Sequence, residues 1–497
     1  MKIREILLGI ALTLGCSACN DWLTVQPETV VLKEDACGTD AGVKQVLSGM
    51  YYTMRSILYN PEGALGGGSG LSESLACTWY ATGERAIALA NHDYHASDGV
   101  ESVLNMTFRT FYDVIAMAND LVEGVEKNKD RLSTSVYNIG MGEALAIRAL
   151  CHLDLIRLWG PMPAYVDASK KYLPYVTVNS TANYEYLTYD KYMGLLLEDL
   201  NRAEEFLQKS DPVVTGTFES TEMSNAEWSY RKSRINYYGV LGLQARARLW
   251  FGDKEGALNY ARMVIDAKNE DGTQKVRLTN GTDDFPAIST TFPWLRNWNA
   301  CGTYYSEHLC GIKCDVEGYY SVEDYNSSWN KRGVSLVIDR DVNKQAWEEL
   351  YNENVDIRYV LWQRDANAAY AQKVGYITRK YEYFYNGTAY QRNFPIVRLA
   401  EMYLIILENA PLNEANEALK VFSEARCIEY KAYTETDREQ RVYKEWLREL
   451  IAEGQNFFTY KRYGEERMLF SSSDISYEQY VLPLPEKEYI NNNGEKR

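Results

Sequence analysis

The chain holds few histidines and no clear cluster of metal ligands. It has four histidines among 497 residues, and His92 and His95 share the polar segment NHDYHASD, which is typical of a loop. The densest group of metal-ligand types is Cys301, His308, Cys310 and Cys314. Zinc prefers thiolate and imidazole ligands, but this spacing fits no standard zinc knuckle. We favour a disulfide within the group, with free buried thiols as the alternative, and predict no metal site and no cofactor.

Acidic pairs are too common here to mark an active site. Glycosidases use two carboxylates that flank the scissile bond, and Asp283-Asp284, Asp339 with Asp341, and Asp365 are candidates. The chain carries 69 Asp and Glu residues, so such pairs arise by chance. The sequence has no GxSxG or HExxH motif, and GGGSG at 66–70 lacks the lysine of a P-loop. We therefore predict binding without catalysis, with a lipoprotein hydrolase as the remote alternative.

Aromatic side chains are the remaining candidates for a binding function. The chain has 40 Tyr and 11 Trp, and five of the Trp residues fall in the segment 268–395. Exposed aromatic rings can stack on the C–H faces of sugars, while nearby Asn and Arg side chains bind hydroxyl groups. The candidate ligand contacts are Trp79, Tyr80, Arg85, Trp294, Asn297, Trp298, Asn299, Tyr304, Tyr305 and Trp329. Packing within loops is the competing explanation for each of them.

Helices that come in pairs must position these residues. Apolar residues recur at helical spacing, and the clearest pair spans 234–267 with a Gly252-Asp253 turn between its helices. This unit has the tetratricopeptide period of 34 residues, and its alanines allow the helices to cross closely. The predicted helices are 40–57, 104–126, 141–159, 189–207, 234–251, 254–267, 396–409, 413–430 and 442–453.

Long insertions interrupt the helical pattern at 58–103, 161–188 and 268–395. We predict a mainly α fold in which tetratricopeptide-like helix pairs form a scaffold and the insertions build an irregular ligand-binding face. The predicted divisions are a helical part at 19–267, an aromatic-rich insertion at 268–395 and a closing helical part at 396–497.

The N-terminus has the layout of a lipoprotein signal peptide. Lys2 and Arg4 precede a short apolar run, and small residues lead into Cys16 and Cys19. The run is about half the roughly 20 residues that a membrane-spanning helix needs. We predict that 1–18 is removed and that Cys19 is acylated; Cys16 and an ordinary cleaved signal are the alternatives. A formal net charge of −16 argues against nucleic acid as a partner.

Blocks along most of the chain resemble, in the right order, the SusD/RagB family of outer-membrane nutrient-binding lipoproteins of Bacteroidetes. The start CNDWL at 19–23, with Pro27 close behind, resembles the family's lipidated N-terminus. GEALAIRALCHLDLIRLWGPMP and FPIVRLAEMYLIILENA resemble two of its helical blocks. The other matching blocks are 43–56, 111–125, 189–207, 243–265, 355–362, 449–464 and 481–492.

The resemblance implies a non-catalytic protein that is anchored in the outer membrane by lipid and exposed at the cell surface. It implies capture of oligosaccharides and their delivery to a SusC-like TonB-dependent β-barrel transporter. A RagB-like peptide carrier is the alternative within the family, and a pure assembly scaffold is a further one. The family has no shared set of ligand residues, so the candidate contacts rest on their chemistry alone.

Overall fold

A computed structural model of the chain describes most of the helical scaffold and part of the insertions. The described residues are 36–58, 71–81, 83–222, 228–281, 284, 304–313, 334–335, 337–351, 356–359, 362–365, 375–378 and 393–491. The predicted signal peptide and Cys19 lie outside these ranges. Within them, no helix combines the length and the apolar composition needed to cross a membrane.

Helices make up most of the described chain. In chain order they are α1 (Asp40–Leu58), α2 (Leu71–Leu75), α3 (Glu84–Ala90), α4 (Asp98–Lys127), α5 (Thr134–Trp159), α6 (Tyr189–Ser210), α7 (Pro212–Thr215), α8 (Phe218–Thr221), α9 (Tyr237–Trp250), α10 (Lys254–Ile265), α11 (Arg340–Leu350), α12 (Leu399–Asn409), α13 (Leu412–Arg426), α14 (Arg438–Leu450), α15 (Asn456–Tyr463) and α16 (Glu486–Asn491). The prediction of a mainly α fold is confirmed.

The long helices pack as neighbouring pairs around α5. Helix α5 packs against α4 on one side and α6 on the other, while α9 pairs with α10 and α12 with α13. Nearly every side chain of α5 is buried, as expected for a helix that has neighbours all around it. Gly142 allows α6 to come close, because a Cβ atom there would lie 2.5 Å from Leu207 Cγ.

Local sequence explains the turn between α9 and α10. Asn236 caps α9 by accepting a hydrogen bond from the Gly239 N–H, and Asp253 does the same for Gly256 at the start of α10. Gly252 between the helices has a φ of +85°, which favours glycine. The predicted pair at 234–267 is therefore confirmed.

Short strands connect the insertions to the scaffold. They are β1 (Tyr80–Ala81), β2 (Lys171–Leu173), β3 (Leu187–Thr188), β4 (His308–Lys313), β5 (Val334–Ser335), β6 (Val337–Asp339), β7 (Trp362–Asp365), β8 (Gly375–Thr378) and β9 (Asn393–Arg398). All pairings are antiparallel: β1 with β5, β2 with β3, β4 with β9, and β8 with both β6 and β7.

Several predicted helix boundaries are wrong. Helix α4 begins at Asp98 and not at 104, α5 begins at Thr134 and not at 141, and α14 spans Arg438–Leu450 and not 442–453. The helix predicted to begin at Ile396 begins at Leu399, because the preceding residues form β9 and pair with β4 from His308–Arg398 to Lys313–Asn393. The helix predicted for 413–430 ends at Arg426, because Cys427 takes the left-handed conformation with a φ of 57°.

Candidate functional site

The first and third insertions meet through a strand pair. Tyr80 pairs with Ser335 and Ala81 pairs with Val334, although more than 250 positions separate them in the chain. The pair follows directly after Trp79, and β6 begins two residues after Ser335. Loops that are remote in sequence are thus joined beside the first group of candidate residues. This juncture, Trp79–Ala81 with 334–339, is called the insertion juncture below.

A second strand pair fixes the third insertion on the scaffold. Strand β4 lies against β9 and packs on α9, where the Asn236 amide donates to the Leu309 carbonyl over 2.6 Å. A Cβ atom on Gly239 would lie 2.7 Å from Cys310 Cβ, so the strand approaches the helix closely. The part of the third insertion that contains β4 is therefore held firmly against α9.

A buried ion network locks the insertion to the C-terminal helices. Glu449 on α14 accepts hydrogen bonds from Arg358, Arg398 and Arg426 at 2.8 to 3.2 Å. From the insertion, Glu307 binds Arg398 and Arg426, each at 2.8 Å. Asp356, Glu445 and Glu453 complete the acidic side of the network.

Charge pairing overcomes the cost of burial in this network. Burial alone would raise the pKa of Glu449, but Arg426, Arg398 and Arg358 hold that pKa well below its usual range. Burial likewise opposes the charge of Arg398, while Glu453, Glu449 and Glu307 raise its pKa. A buried ion pair adds little stability over an apolar core, but removing one partner costs about 3–5 kcal/mol. The network therefore specifies where the insertion is seated.

The structure places two candidate ligand residues in packed interior positions. Trp79 is 5% exposed and Tyr304 is 1% exposed, so neither presents a ring face to solvent. The Tyr304 ring lies against Arg398 and Arg426, whose guanidinium carbons are 4.9 and 5.0 Å from its centroid. Aromatic residue type alone could not separate this cation–π packing from a sugar-stacking role.

Two other candidates, Tyr305 and Arg85, are only partly buried. Tyr305 is partly buried; its hydroxyl donates to Glu222 over 2.7 Å, and the Lys232 ammonium lies 5.0 Å from its ring centroid. Arg85 is partly buried on α3, and Tyr80 takes part in β1. Trp294, Asn297, Trp298, Asn299 and Trp329 lie outside the described residues, and their ligand roles stay predictions.

The cysteine group is a packing feature as far as the structure describes it. Cys310 is a free, fully buried thiol in β4, and burial raises its pKa to about 12. A disulfide through Cys310 is therefore not formed, and Cys301 and Cys314 lie outside the described residues. Within the part of the chain that the structure describes, no three His, Cys, Asp or Glu residues are placed to hold a metal ion.

The residues that position the site were not singled out as such from the sequence. The segment VDIRYVLW contributes Asp356 and Arg358, and FPIVRLAE contributes Arg398. An arginine inside an apolar segment is the available signal, because a buried guanidinium requires a buried carboxylate partner. The identity of that partner depends on the tertiary fold.

The N-terminal part of the chain is similar in sequence to known proteins. Residues 31–220 match the SusD-like family model described as "Starch-binding associating with outer membrane". SusD-like protein P25 of Formosa agariphila is 28% identical over 179 residues. That alignment covers 34% of this chain and only 32% of the relative, about a third of its length.

Solved structures resemble the whole fold. A SusD superfamily protein of Bacteroides thetaiotaomicron is 20% identical and superposes with a TM-score of 0.65, over 92% of this chain and 98% of that one. A SusD-like carbohydrate binding protein of Bacteroides vulgatus is 15% identical, also with a TM-score of 0.65, over 92% and 97% of the two chains. The segment 31–220 is thus similar in sequence to the SusD-like family, and the fold of the chain resembles that of solved SusD superfamily proteins.

Proposed function

We propose that this protein binds oligosaccharide or polysaccharide nutrients at the outer membrane and passes them, chemically unchanged, to a SusC-like TonB-dependent β-barrel transporter. Acylated Cys19 would hold it on the membrane. SusD-family proteins are non-catalytic binding proteins, and the matched family model is described as starch-binding and associated with the outer membrane. One structural relative is named as carbohydrate binding.

The observation that carries the proposal is the insertion juncture on a rigid scaffold. Pairing of β1 with β5 joins two insertions, and the buried ion network seats the third insertion on α14. Binding residues in loops held by a rigid framework are a common arrangement in ligand-binding proteins. The described strand β5 of the third insertion lies beside the Trp79 loop, and this supports a binding role for the joined insertions.

A binding screen of the full-length protein in detergent tests the proposal. We expect retention by at least one neutral or anionic glycan in affinity electrophoresis, with binding weakened at least about tenfold in Trp294→Ala or Trp298→Ala. The matched control is Tyr52→Ala, which removes an exposed aromatic ring from α1, 70% exposed and outside the insertions.

Each outcome distinguishes the candidate functions. Binding to oligopeptides alone would replace the glycan proposal with the RagB-like peptide carrier. Binding to neither class would favour an assembly scaffold, and release of shortened glycans by the pure protein would establish a hydrolase.

A further inference from the structure

A tyrosine-lined groove lies on the scaffold and draws none of its walls from the aromatic insertion 268–395. It consists of two hollows of about 770 and 1030 Å³, which meet at Glu101, Asn105 and Glu486. The first half of α4 forms one wall, and the segments 159–186 and 477–489 form the others. Volumes of this size are typical of small-ligand sites.

The groove walls are fixed by hydrogen bonds that hold the C-terminal segment against α5. The Trp159 indole donates to the Pro483 carbonyl over 2.9 Å, and the Leu482 amide donates to the Leu158 carbonyl over 3.1 Å. The Tyr94 hydroxyl also donates to the Gln479 carbonyl. The groove therefore exists before any ligand arrives, which lowers the entropic cost of binding.

Two exposed tyrosines form an aromatic platform at one end of the groove. Tyr165 is 58% exposed and Tyr477 is 36% exposed, and their ring centroids lie 4.6 Å apart with the planes tilted by 38°. Neither hydroxyl forms a hydrogen bond with another of the described residues. Two apolar ring faces with polar edges at the mouth of a groove suit the alternating C–H and hydroxyl faces of a sugar chain.

The charge of the groove restricts its ligand. Six carboxylates line it, against three cationic side chains: Asp98, Glu101, Asp113, Glu478, Glu486 and Glu488, with Arg109, Lys170 and Lys487. An excess of carboxylates repels sulfated and uronic-acid chains, while carboxylate oxygens accept hydrogen bonds from neutral hydroxyls. Exposed Asn105, where the hollows meet, adds an amide that can both donate and accept.

We propose that this groove is a second glycan-binding site, selective for neutral oligosaccharides and separate from the face at the insertion juncture. Its ligand class rests on the proposed function, but its location does not. A long neutral chain would then contact the protein both at the insertions and along α4.

Isothermal titration calorimetry of the full-length protein in detergent tests the proposal, with maltoheptaose, xylohexaose and mannohexaose as neutral probes and hexagalacturonate as the anionic one. We expect the double variant Tyr165→Ala/Tyr477→Ala to bind one equivalent fewer of a neutral probe than the wild-type protein, or to bind the equivalent in the groove about tenfold more weakly. The variant Tyr165→Phe/Tyr477→Phe keeps both rings and should bind the same number of probe equivalents as the wild-type protein. Tyr52→Ala serves as the exposed-tyrosine control, and unchanged circular dichroism verifies folding.

The outcomes separate this site from the proposed one. Loss of an equivalent in Trp294→Ala/Trp298→Ala but not in the tyrosine variants would support the proposed function and overturn the second site. Loss in the tyrosine double alanine variant alone would support the second site and count against the insertions. The second site would be overturned by an equal loss of binding in the phenylalanine variant. A preference for hexagalacturonate at this site, or no binding of any neutral probe, would overturn it as well.

Discussion

The buried side chain of His152 makes the scaffold sensitive to acid. His152 on α5 is fully buried; its Nε2 accepts a hydrogen bond from the Val176 amide over 3.1 Å, and its Nδ1 lies 3.0 Å from the Tyr192 hydroxyl. Since the Tyr192 hydroxyl donates to the His152 carbonyl, Nδ1 is the donor and the ring is neutral. Burial, aided by nearby Arg148, lowers the pKa of His152 from 6.5 to about 3.

The direction of the pH effect follows from that lowered pKa. Between pH 6.5 and 3 the unfolded chain binds a proton at His152 that the folded chain does not, so stability falls as the pH falls through this window. We expect His152 to contribute about 1.4 kcal/mol per pH unit below 6.5 to the loss of unfolding free energy. Urea denaturation at pH 7, 6 and 5 measures this slope.

The test uses a glutamine variant. His152→Gln retains an acceptor for the Val176 amide but cannot be protonated, so its slope should be shallower by one proton. Equal slopes in the wild-type protein and His152→Gln would contradict this account.

At the scale of elements, the end of α5 depends on a side chain from the far end of the chain. Pro161 has no N–H to donate to the Arg157 carbonyl, so the last turn of the helix is left with unpaired oxygens. The fully buried Lys461 ammonium donates to the carbonyls of Arg157 and Gly160 over 2.7 and 2.8 Å, and to that of Leu158 over 3.3 Å. Burial, together with nearby Arg157, lowers the pKa of Lys461 well below its usual range, while the negative end of the helix favours the charged form.

We expect Lys461→Met to lower the free energy of unfolding by about 2–4 kcal/mol, because it leaves buried carbonyls without donors. Chemical denaturation measures the loss, and hydrogen exchange should become faster in the last turn of α5. Lys420→Met changes an exposed lysine on α13 and should stay within about 0.5 kcal/mol of the wild type. A loss in Lys461→Met no larger than that control would show that water satisfies these carbonyls.

Helix α5 and strand β9 show which structural features can be predicted from the local sequence. The predicted helix end at 159 is correct, because its signal, the Gly160-Pro161 pair that follows, is local. Its partner Lys461 lies about 300 positions away, and no local pattern indicates it. The helix predicted from Ile396 includes 396–398 because an apolar run fits either structure, and only the pairing of these residues with β4 selects a strand.

The same limit applies to the candidate site. Its residues were chosen by type, and type does not reveal exposure: Tyr304 belongs to a buried ion network, whereas exposed Tyr165 and Tyr477 were not chosen among 40 tyrosines. The sequence pattern likewise predicts where the insertions lie in the chain, but it does not predict that two of them pair through β1 and β5. Exposure and proximity both depend on how distant segments pack.

At the scale of the whole molecule, Arg358 is one of the links between scaffold and insertion, and its contribution can be tested. Arg358 is 2% exposed and binds Asp356 beside it, as well as Glu445 and Glu449 on α14, at 2.8 to 3.2 Å. Arg358→Met keeps an apolar stem of similar reach but leaves three buried carboxylates with fewer donors. We expect it to lower the free energy of unfolding by about 3 kcal/mol.

The loss should be concentrated in one part of the molecule. Because the removed bonds join the insertion to α14, hydrogen exchange should accelerate at 304–313 and 356–359 while α4, α5 and α6 keep their protection. Glycan binding at the insertion juncture should weaken in parallel, whereas the groove along α4 should bind as before. Arg467→Met removes an exposed arginine that pairs with Asp474 and should change none of these measurements. Uniform acceleration across all helices would instead mean that scaffold and insertion unfold as a single unit, and the network would then stabilise the whole domain instead of seating its binding face.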